Sequence, residues 1–296
     1  MSETVIGPVV CGYDGSQDAR RAVAWAASWA RDHGATLEVI SADRAVGRVV
    51  AFDQTARENV EGAMRDQLVE LTADVPATFH VVADSPVSAL VEASRRASAV
   101  IVGSRGLTPR EDFAMGSTSA GVVEHAACPV IVITPHTPEA PRTPDTSSTP
   151  DAPSGGPVVL AADGSPAGDP AVAFAFAEAE RRGTTLRVIH TVEVPKLPGA
   201  SLFDLDTLAE SVLAEDEQEV TDALAPHEAR HPGVSVDLVL VVGEPATTIS
   251  DEAAGAALLV TGSRGHGGFA GLLLGSVSRR LLQTAPCAVA VVRPTE

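Results

Sequence analysis

Apolar positions along the chain fall into two alternating patterns. Short continuous apolar runs alternate with longer segments in which apolar residues recur every three or four positions. The first run is Val9-Val10-Cys11. Asp18–Arg31 follows, with Ala19, Ala22, Val23, Ala26, Ala27 and Ala30 at helical spacing. Gly34 sits where a helix C-terminus wants a residue free of Cβ strain. Leu37–Ile40 reads as a second strand, Gly47–Ala73 as a helical region, and Ala77–Ala83 as a third strand. Val87–Arg96 (helix), Ala99–Val102 (strand), Ser117–Ala126 (helix) and Pro129–Thr134 (strand) complete the series. Runs apolar throughout suit strands buried on both faces, and strict alternation with helices predicts a parallel, doubly wound sheet.

The pattern then stops. Residues 135–157, PHTPEAPRTPDTSSTPDAPSGGP, are dense in Pro, Ser, Thr and Gly and lack large apolar residues, so they read as an extended linker. After it the pattern restarts. Val158–Ser165 repeats Val9–Ser16, with Asp163 lying 149 positions after Asp14. Pro86 and Pro245, Gly103 and Gly262, and Cys128 and Cys287 are each 159 apart. The second copy therefore carries ten more residues between its second and third strands, expected around Val194–Leu208 as a loop flanking the site. A repeat with one localised insertion indicates a duplicated domain. The expected organisation is a first domain at 1–134, a linker at 135–157 and a second domain at 158–296.

Composition narrows the picture. The 296 residues suit two domains that each bury a core, and with aromatics at 3 % that core must be Val, Ala, Leu and Ile. No apolar run approaches the ~18 residues of a membrane span. MSETVIGPVV lacks the basic and apolar regions of a signal peptide, so a cytoplasmic protein is expected. A net charge of −18 disfavours nucleic acid and anionic membranes as partners. Three cysteines without a C-x-x-C pair point to reduced, buried thiols. Lys196 is the single lysine, and no G-x-x-x-x-G-K-[ST] string exists, so a phosphate site here must use backbone, hydroxyl or arginine donors.

In a doubly wound sheet, ligands bind beyond the carboxyl ends of the strands where strand order reverses. The loops after strands one and four are the candidates. Asp14-Gly15-Ser16 and Asp163-Gly164-Ser165 follow the first strands. Two glycine-rich loops follow the fourth, at Gly103–Ser119 and within Thr261–Ser278. Both have the spacing G-x2-G-x9-G-S: Gly103, Gly106, Gly116, Ser117 and Gly262, Gly265, Gly275, Ser276. Glycines let backbone N–H groups approach an anion, and a helix start supplies further donors and partial positive charge. Glycine loops also close ligand-free turns, but two at equivalent places make coincidence a poor account.

VVCGYDGS and VLAADGS at the domain starts, GSRGLTPREDFAMGSTS and GSRGHGGFAGLLLGSVS after strand four, and ACPVIVI and PCAVAVV at the domain ends resemble the universal stress protein family in its tandem-domain form. The match spans nearly everything outside the linker. It implies two Rossmann-like α/β domains, each a five-stranded parallel sheet of order 3-2-1-4-5 with helices on both faces. It also implies, in the ATP-binding branch, one adenine nucleotide per domain (ATP, ADP or AMP), a homodimer or intrachain pseudo-dimer, and a role in stress regulation. Carried over, Asp14 and Asp163 would contact the adenosine side or a Mg²⁺ on the phosphates, or else cap the following helix. Ile40 and Ile189 would border the base, and Gly12 and Ala161 would belong to the nucleotide sites. His190 is adjacent and faces either the site or solvent. Gly103–Gly106 and Gly262–Gly265, including Ser104 and Ser263, would wrap the phosphates. Arg105 and Arg264 would clamp a phosphate or point to solvent. His266, Gly267 and Gly268 continue the second loop. Gly116, Ser117, Thr118 and Ser119, with Gly275, Ser276, Val277 and Ser278, would offer donors at the helix starts.

The copies differ. Where the second has Gly267, Gly268 and Gly271, the first has Thr108, Pro109 and Asp112, with Glu111 beside them. Proline removes a donor and carboxylates repel phosphate, so the first domain is expected to be the weaker site. No base–nucleophile pair is evident, and Asp14 and Asp163 are the carboxylates expected near the phosphates. A binding module is therefore the leading reading. A slow ATPase or phosphotransferase, or a non-binding structural or interaction module, is the alternative.

Overall fold

The structure is a computed structural model that describes residues 7–42, 54–106, 115–138, 156–192, 202–265 and 273–294, with backbone alone for 202–214. The chain divides into two compact units, Met1–Thr146 and Ser147–Glu296.

In the first unit, β1 (Val9–Gly12), β2 (Leu37–Ala42), β3 (Ala77–Val82), β4 (Ala99–Gly103) and β5 (Val130–Ile133) pair in parallel in the order β3-β2-β1-β4-β5. In the second unit, β6 (Val158–Ala161), β7 (Leu186–Val192), β8 (Val236–Val242), β9 (Leu258–Gly262) and β10 (Val289–Val292) repeat that order as β8-β7-β6-β9-β10. Strand order thus reverses between the first and fourth strands of each unit, and both glycine loops leave the sheet there.

Helices fill the crossovers. In the first unit they are α1 (Gln17–Asp32), α2 (Gln54–Thr72), α3 (Pro86–Ser94) and α4 (Ser117–His125). In the second they are α5 (Asp169–Arg182), α6 (Leu202–Glu228), α7 (Pro245–Glu252) and α8 (Ser276–Thr284). Helices α1 and α2 pack together, as do α3 and α4, α5 and α6, and α7 and α8. Right-handed crossovers place the two pairs of each unit on opposite sheet faces. The alanine stripe of α1 is buried at Ala19, Ala22, Ala26 and Ala30, and small side chains there bring the helix close to β1 and β4. Trp25 stacks on Trp29 at 5.0 Å and Trp29 on His33 at 4.2 Å, a ladder at i, i+4 and i+8 along α1.

The inserted residues depart from the expectation of a loop. Within Val194–Leu208, residues 194–201 lie outside the described residues, whereas Leu202–Leu208 opens α6, which runs 27 residues against 19 in α2. Leu202, Leu205, Leu208 and Val212 recur at three- and four-residue spacing with no Pro or Gly between Gly199 and Pro226. The insertion thus continues a helical period.

None of the three cysteines is in a disulfide, and Cys11 and Cys287 are buried. Burial pushes the thiols of Cys128 and Cys287 up to about 12, and that of Cys11 higher still. None carries appreciable thiolate at neutral pH, which fits packing roles.

Candidate functional site

Each glycine loop is pinned at both ends by backbone. Ser104 N–H donates to Ile133 O (3.0 Å) and Ser263 N–H to Val292 O (2.9 Å), carrying the ladder one residue past the strand. Gly116 N–H then donates to Ser104 O (2.7 Å), and Gly275 N–H to Ser263 O (2.8 Å). The nine-residue excursion of the spacing is thus closed at its neck in both copies. Within it, Leu107–Ala114 and His266–Leu272 lie outside the described residues. These include Thr108, Pro109, Glu111 and Asp112 of the first loop and His266, Gly267, Gly268 and Gly271 of the second.

The helix beyond each neck starts without a side-chain cap. Its N-cap is Gly116 in α4 and Gly275 in α8, and neither helix start receives a side-chain hydrogen bond. The first intrahelical N–H donors are Ala120 and Arg279. The N–H groups of Ser117, Thr118 and Ser119, and of Ser276, Val277 and Ser278, are the first-turn donors left by that geometry. By contrast, α1, α3 and α7 are capped by Ser16, Ser85 and Glu244. An uncapped start with its partial positive charge suits an anion.

The strand-one aspartate meets the loop. Asp14 Oδ1 accepts from Ser16 N–H (2.9 Å). Asp163 Oδ1 accepts from Ser165 N–H (3.1 Å) and Ser165 Oγ–H (2.7 Å). Neither aspartate caps the following helix; in the first unit Ser16 Oγ does so, accepting from Ala19 N–H. The other carboxylate oxygen lies against the second glycine of the loop. A Cβ on Gly106 would stand 2.7 Å from Asp14 Oδ2, and one on Gly265 closer still to Asp163 Oδ2. A side chain at either position would have to push that carboxylate aside. The turns themselves use Gly15 (φ 85°) and Gly164 (φ 76°), where a side chain would be strained.

Both assemblies open into a cavity. In the first unit it measures about 280 Å³, and Gly12, Asp14, Ile40, Gly103, Arg105, Gly106 and Gly116–Ser119 line it with Pro86 and Leu90 of α3. In the second it measures about 1080 Å³, and Ala161, Asp163, Gly262, Arg264, Gly265 and Gly275–Ser278 line it with Pro245 and Ile249 of α7. Arg105 and Arg264 are exposed side chains on the rims. Ser119 Oγ–H donates to Gly103 O (2.6 Å) and Ser278 Oγ–H to Gly262 O (2.7 Å), so both hydroxyl hydrogens are used within the loop base.

Three expected residues stand apart from the cavities. Ser104 and Ser263 are buried outside the linings; Ser104 Oγ reaches Asp18 Oδ2 at 3.4 Å, whereas Ser263 Oγ has no hydrogen-bond partner among the described residues. Ile189 is fully buried and absent from the lining, although it holds the register of Ile40: Gly12 pairs with Ile40 and Ala161 with Ile189. His190 lines the cavity instead. Its Nδ1 lies 2.9 Å from Ala162 O and its Nε2 3.4 Å from Asp216 Oδ2 of α6.

The second cavity holds carboxylates besides the expected Asp163. Asp169, Glu219 and Asp222 line it too, the last two from α6. Their helical spacing was readable, but which face of α6 turns to the cavity depends on how the helix packs. Among the described residues, no group of three or more His, Cys, Asp or Glu is arranged to hold a metal ion. No described helix is long and apolar enough to cross a membrane.

Two copies of a doubly wound sheet, each with a stapled glycine loop, an uncapped helix start and an aspartate against the loop, define a tandem α/β protein with a duplicated glycine-loop cavity. Residues 6–134 and 156–293 match the model of the universal stress protein family, and the chain belongs to that family. A universal stress protein of Mycobacterium tuberculosis is 35% identical over 301 residues, covering 96% of each chain. One of Mycolicibacterium smegmatis is 33% identical over 303 residues, covering 97% of each. Among solved structures, a universal stress protein from Archaeoglobus fulgidus superposes with a TM-score of 0.63 at 20% identity, covering 97% of this chain and 98% of that one. A second from Pseudomonas aeruginosa gives 0.62 at 19% identity, covering 98% and 94%. These two share the fold.

Proposed function

We propose that each domain binds an adenine nucleotide, ATP or its ADP and AMP relatives, and that occupancy regulates the protein in a stress response. The observation that carries this reading is the uncapped start of α4 and α8 facing a cavity across a pinned glycine loop. The phosphates would lie on the N–H groups of Ser117–Ser119 and Ser276–Ser278 and on the loop backbone. Gly106 and Gly265 keep room beside the aspartates, and Arg105 and Arg264 on the rims would add charge to the outer phosphates. A Mg²⁺ carried by the phosphates would find Asp14 or Asp163 as an oxygen ligand. Ile40 and Leu90 in one domain, and Ile249 with Pro245 in the other, offer apolar walls to a base. The domains are placed at 1–134 and 158–296 with 135–157 as tether. Self-association and a cytoplasmic location belong to the same reading.

The test is direct. Protein purified without added nucleotide is denatured, and the supernatant is analysed by chromatography and mass spectrometry. Adenine nucleotide is expected. Its absence, together with no binding by calorimetry when ATP and Mg²⁺ are added, overturns the reading. The carboxylates in the second cavity favour one alternative, slow hydrolysis, which a turnover assay with Mg²⁺ and a Gly275→Trp control would expose.

A further inference from the structure

The second cavity differs from the first in what α6 brings over the turn after β6. A Cβ placed on Gly164 would meet Glu219 Cγ at 2.9 Å, Cδ at 3.2 Å and Oε1 at 3.4 Å, so the Glu219 carboxylate lies directly on this turn. The preceding residue, Asp163, holds its carboxylate against Gly265 of the glycine loop. A short chain of contacts therefore runs from the anion cradle through Asp163 and Gly164 to Glu219, all on one cavity wall. Asp222, one helical turn further on, lines the same cavity, and its Oδ1 accepts from Gln218 Nε2 (2.8 Å).

Among the described residues the first unit has nothing equivalent. Gly15 has no described atom within 4 Å of the place its Cβ would take. No residue of α2, which fills the same crossover as α6, lines the first cavity. Two cavities with the same cradle thus differ by a carboxylate next to it.

We infer that Glu219 reads the ribose of the nucleotide in the second domain and makes that site selective for an unmodified 2′,3′-diol. In a nucleotide the ribose is the group adjoining the phosphates, as Glu219 adjoins the cradle. A carboxylate is the acceptor that ribose hydroxyls pair with in dinucleotide-binding folds. Glu219 here is a specificity-determining residue, and the inference rests on the reading of this cavity as a nucleotide site. A carboxylate also repels the phosphates, but it does so equally for ligands that differ in the sugar alone. The ratio of their affinities isolates the hydroxyl contact.

The experiment uses the full chain with Gly116→Trp, which blocks the first cradle, and measures ATP and 2′,3′-dideoxy-ATP by calorimetry. It is repeated with Glu219→Val, which removes the carboxylate. A hydroxyl donating to a charged acceptor predicts roughly a tenfold or greater preference for ATP with Glu219. With Glu219→Val the preference is expected to fall to about twofold or less. Circular dichroism melts identify any variant that fails to fold, and Glu219→Ala serves if the valine is not tolerated on the helix. Equal affinity for the two ligands with Glu219 present, or an unchanged preference after its removal, overturns the inference while leaving nucleotide binding intact. Absence of binding by either ligand in the Gly116→Trp chain, with the fold preserved, strikes at the nucleotide reading of the second site itself.

Discussion

Leu68 and His227 are both buried on the outer helix of their unit, and they carry opposite chemistry. Leu68 is fully buried on α2, which packs against α1. His227 is buried to 1 % exposure on α6, with Nε2 2.7 Å from Asp169 Oδ1 and Arg230 Nη1 donating to its Nδ1 (3.3 Å). With Nδ1 accepting, Nε2 carries the hydrogen given to Asp169. His231 and His227 both stack on Phe176 at 5.8 Å. Glu178 stands where the first unit has Trp29, bonded to Arg181 at 2.9 Å and 3.5 Å from Arg182. The first unit thus buries a leucine on its outer helix, with Arg20 Nη1 of α1 donating to the adjacent Gln67 O (3.1 Å), and the second buries a histidine held by polar pairs. The cavities measure about 280 Å³ and about 1080 Å³, the larger one extending to Val172 of α5 and to Val220 and Leu224 of α6. The same cradle is set in a tight cleft in one copy and a roomy one in the other.

The strongest way to break this comparison is to fill the cradle. Gly265→Ala drives a Cβ into Asp163 Oδ2, whose partner oxygen is fixed by two hydrogen bonds from Ser165. It is expected to weaken nucleotide binding in the second domain at least tenfold, measured by calorimetry. Gly106→Ala displaces Asp14, which is held through Ser16 N–H in an exposed turn, and is expected to cost less. A larger loss from Gly106→Ala would reverse the ranking of the sites.

A smaller effect separates the helix seams. Leu68→Ala should destabilise the first unit by about 2–5 kcal/mol, the usual cost of emptying a fully buried leucine site. His227→Leu, which puts a leucine on the second unit's outer helix, should cost less than about 1.5 kcal/mol. Asp169 loses a donor but is 65% exposed at its side chain and regains water. Both tryptophans lie in the first unit, so fluorescence follows that unit during urea unfolding while circular dichroism follows both. Equal costs would mean that the two seams are energetically alike.

The smallest difference concerns pH. Helix α3 is capped by the hydroxyl of Ser85, and α7 at the same repeat position by the carboxylate of Glu244, which accepts from Thr247 N–H (2.9 Å). Hydrogen bonding to Thr247 holds the Glu244 carboxyl below its ordinary value. A depressed pKa contributes stability above the unfolded value, and that contribution disappears as pH falls through the folded one. Glu244→Gln should therefore lower the second unit's stability by a few tenths of a kcal/mol near pH 7, screening of an exposed group keeping it small. The difference should shrink towards pH 3 as the carboxyl protonates. Ser85→Ala should cost about 1 kcal/mol at both pH values.

Most of the architecture was legible because duplication wrote it twice. Apolar runs at 9–11 and 158–160, and glycines at constant offsets, marked the strands and the cradle without reference to packing. What escaped notice depends on tertiary placement. Prolines at 195 and 198 made the insertion look like a loop, although Leu202–Leu208 continues a helical period. Ile40 and Ile189 share a register, yet one lines its cavity and the other is covered, which no local pattern specifies. Glu219 was one of many acidic residues on a long helix until packing turned it onto Gly164.

The central claim is that two like cradles make unequal sites, with the second domain holding the principal one. Calorimetric titration of the nucleotide-stripped full chain with ATP and Mg²⁺ tests it most directly, read beside Gly275→Trp and Gly116→Trp. The account predicts two binding steps of different affinity, with the tighter one abolished by Gly275→Trp and retained in Gly116→Trp. A single class of two equivalent sites, or a tight step that survives Gly275→Trp, would contradict it.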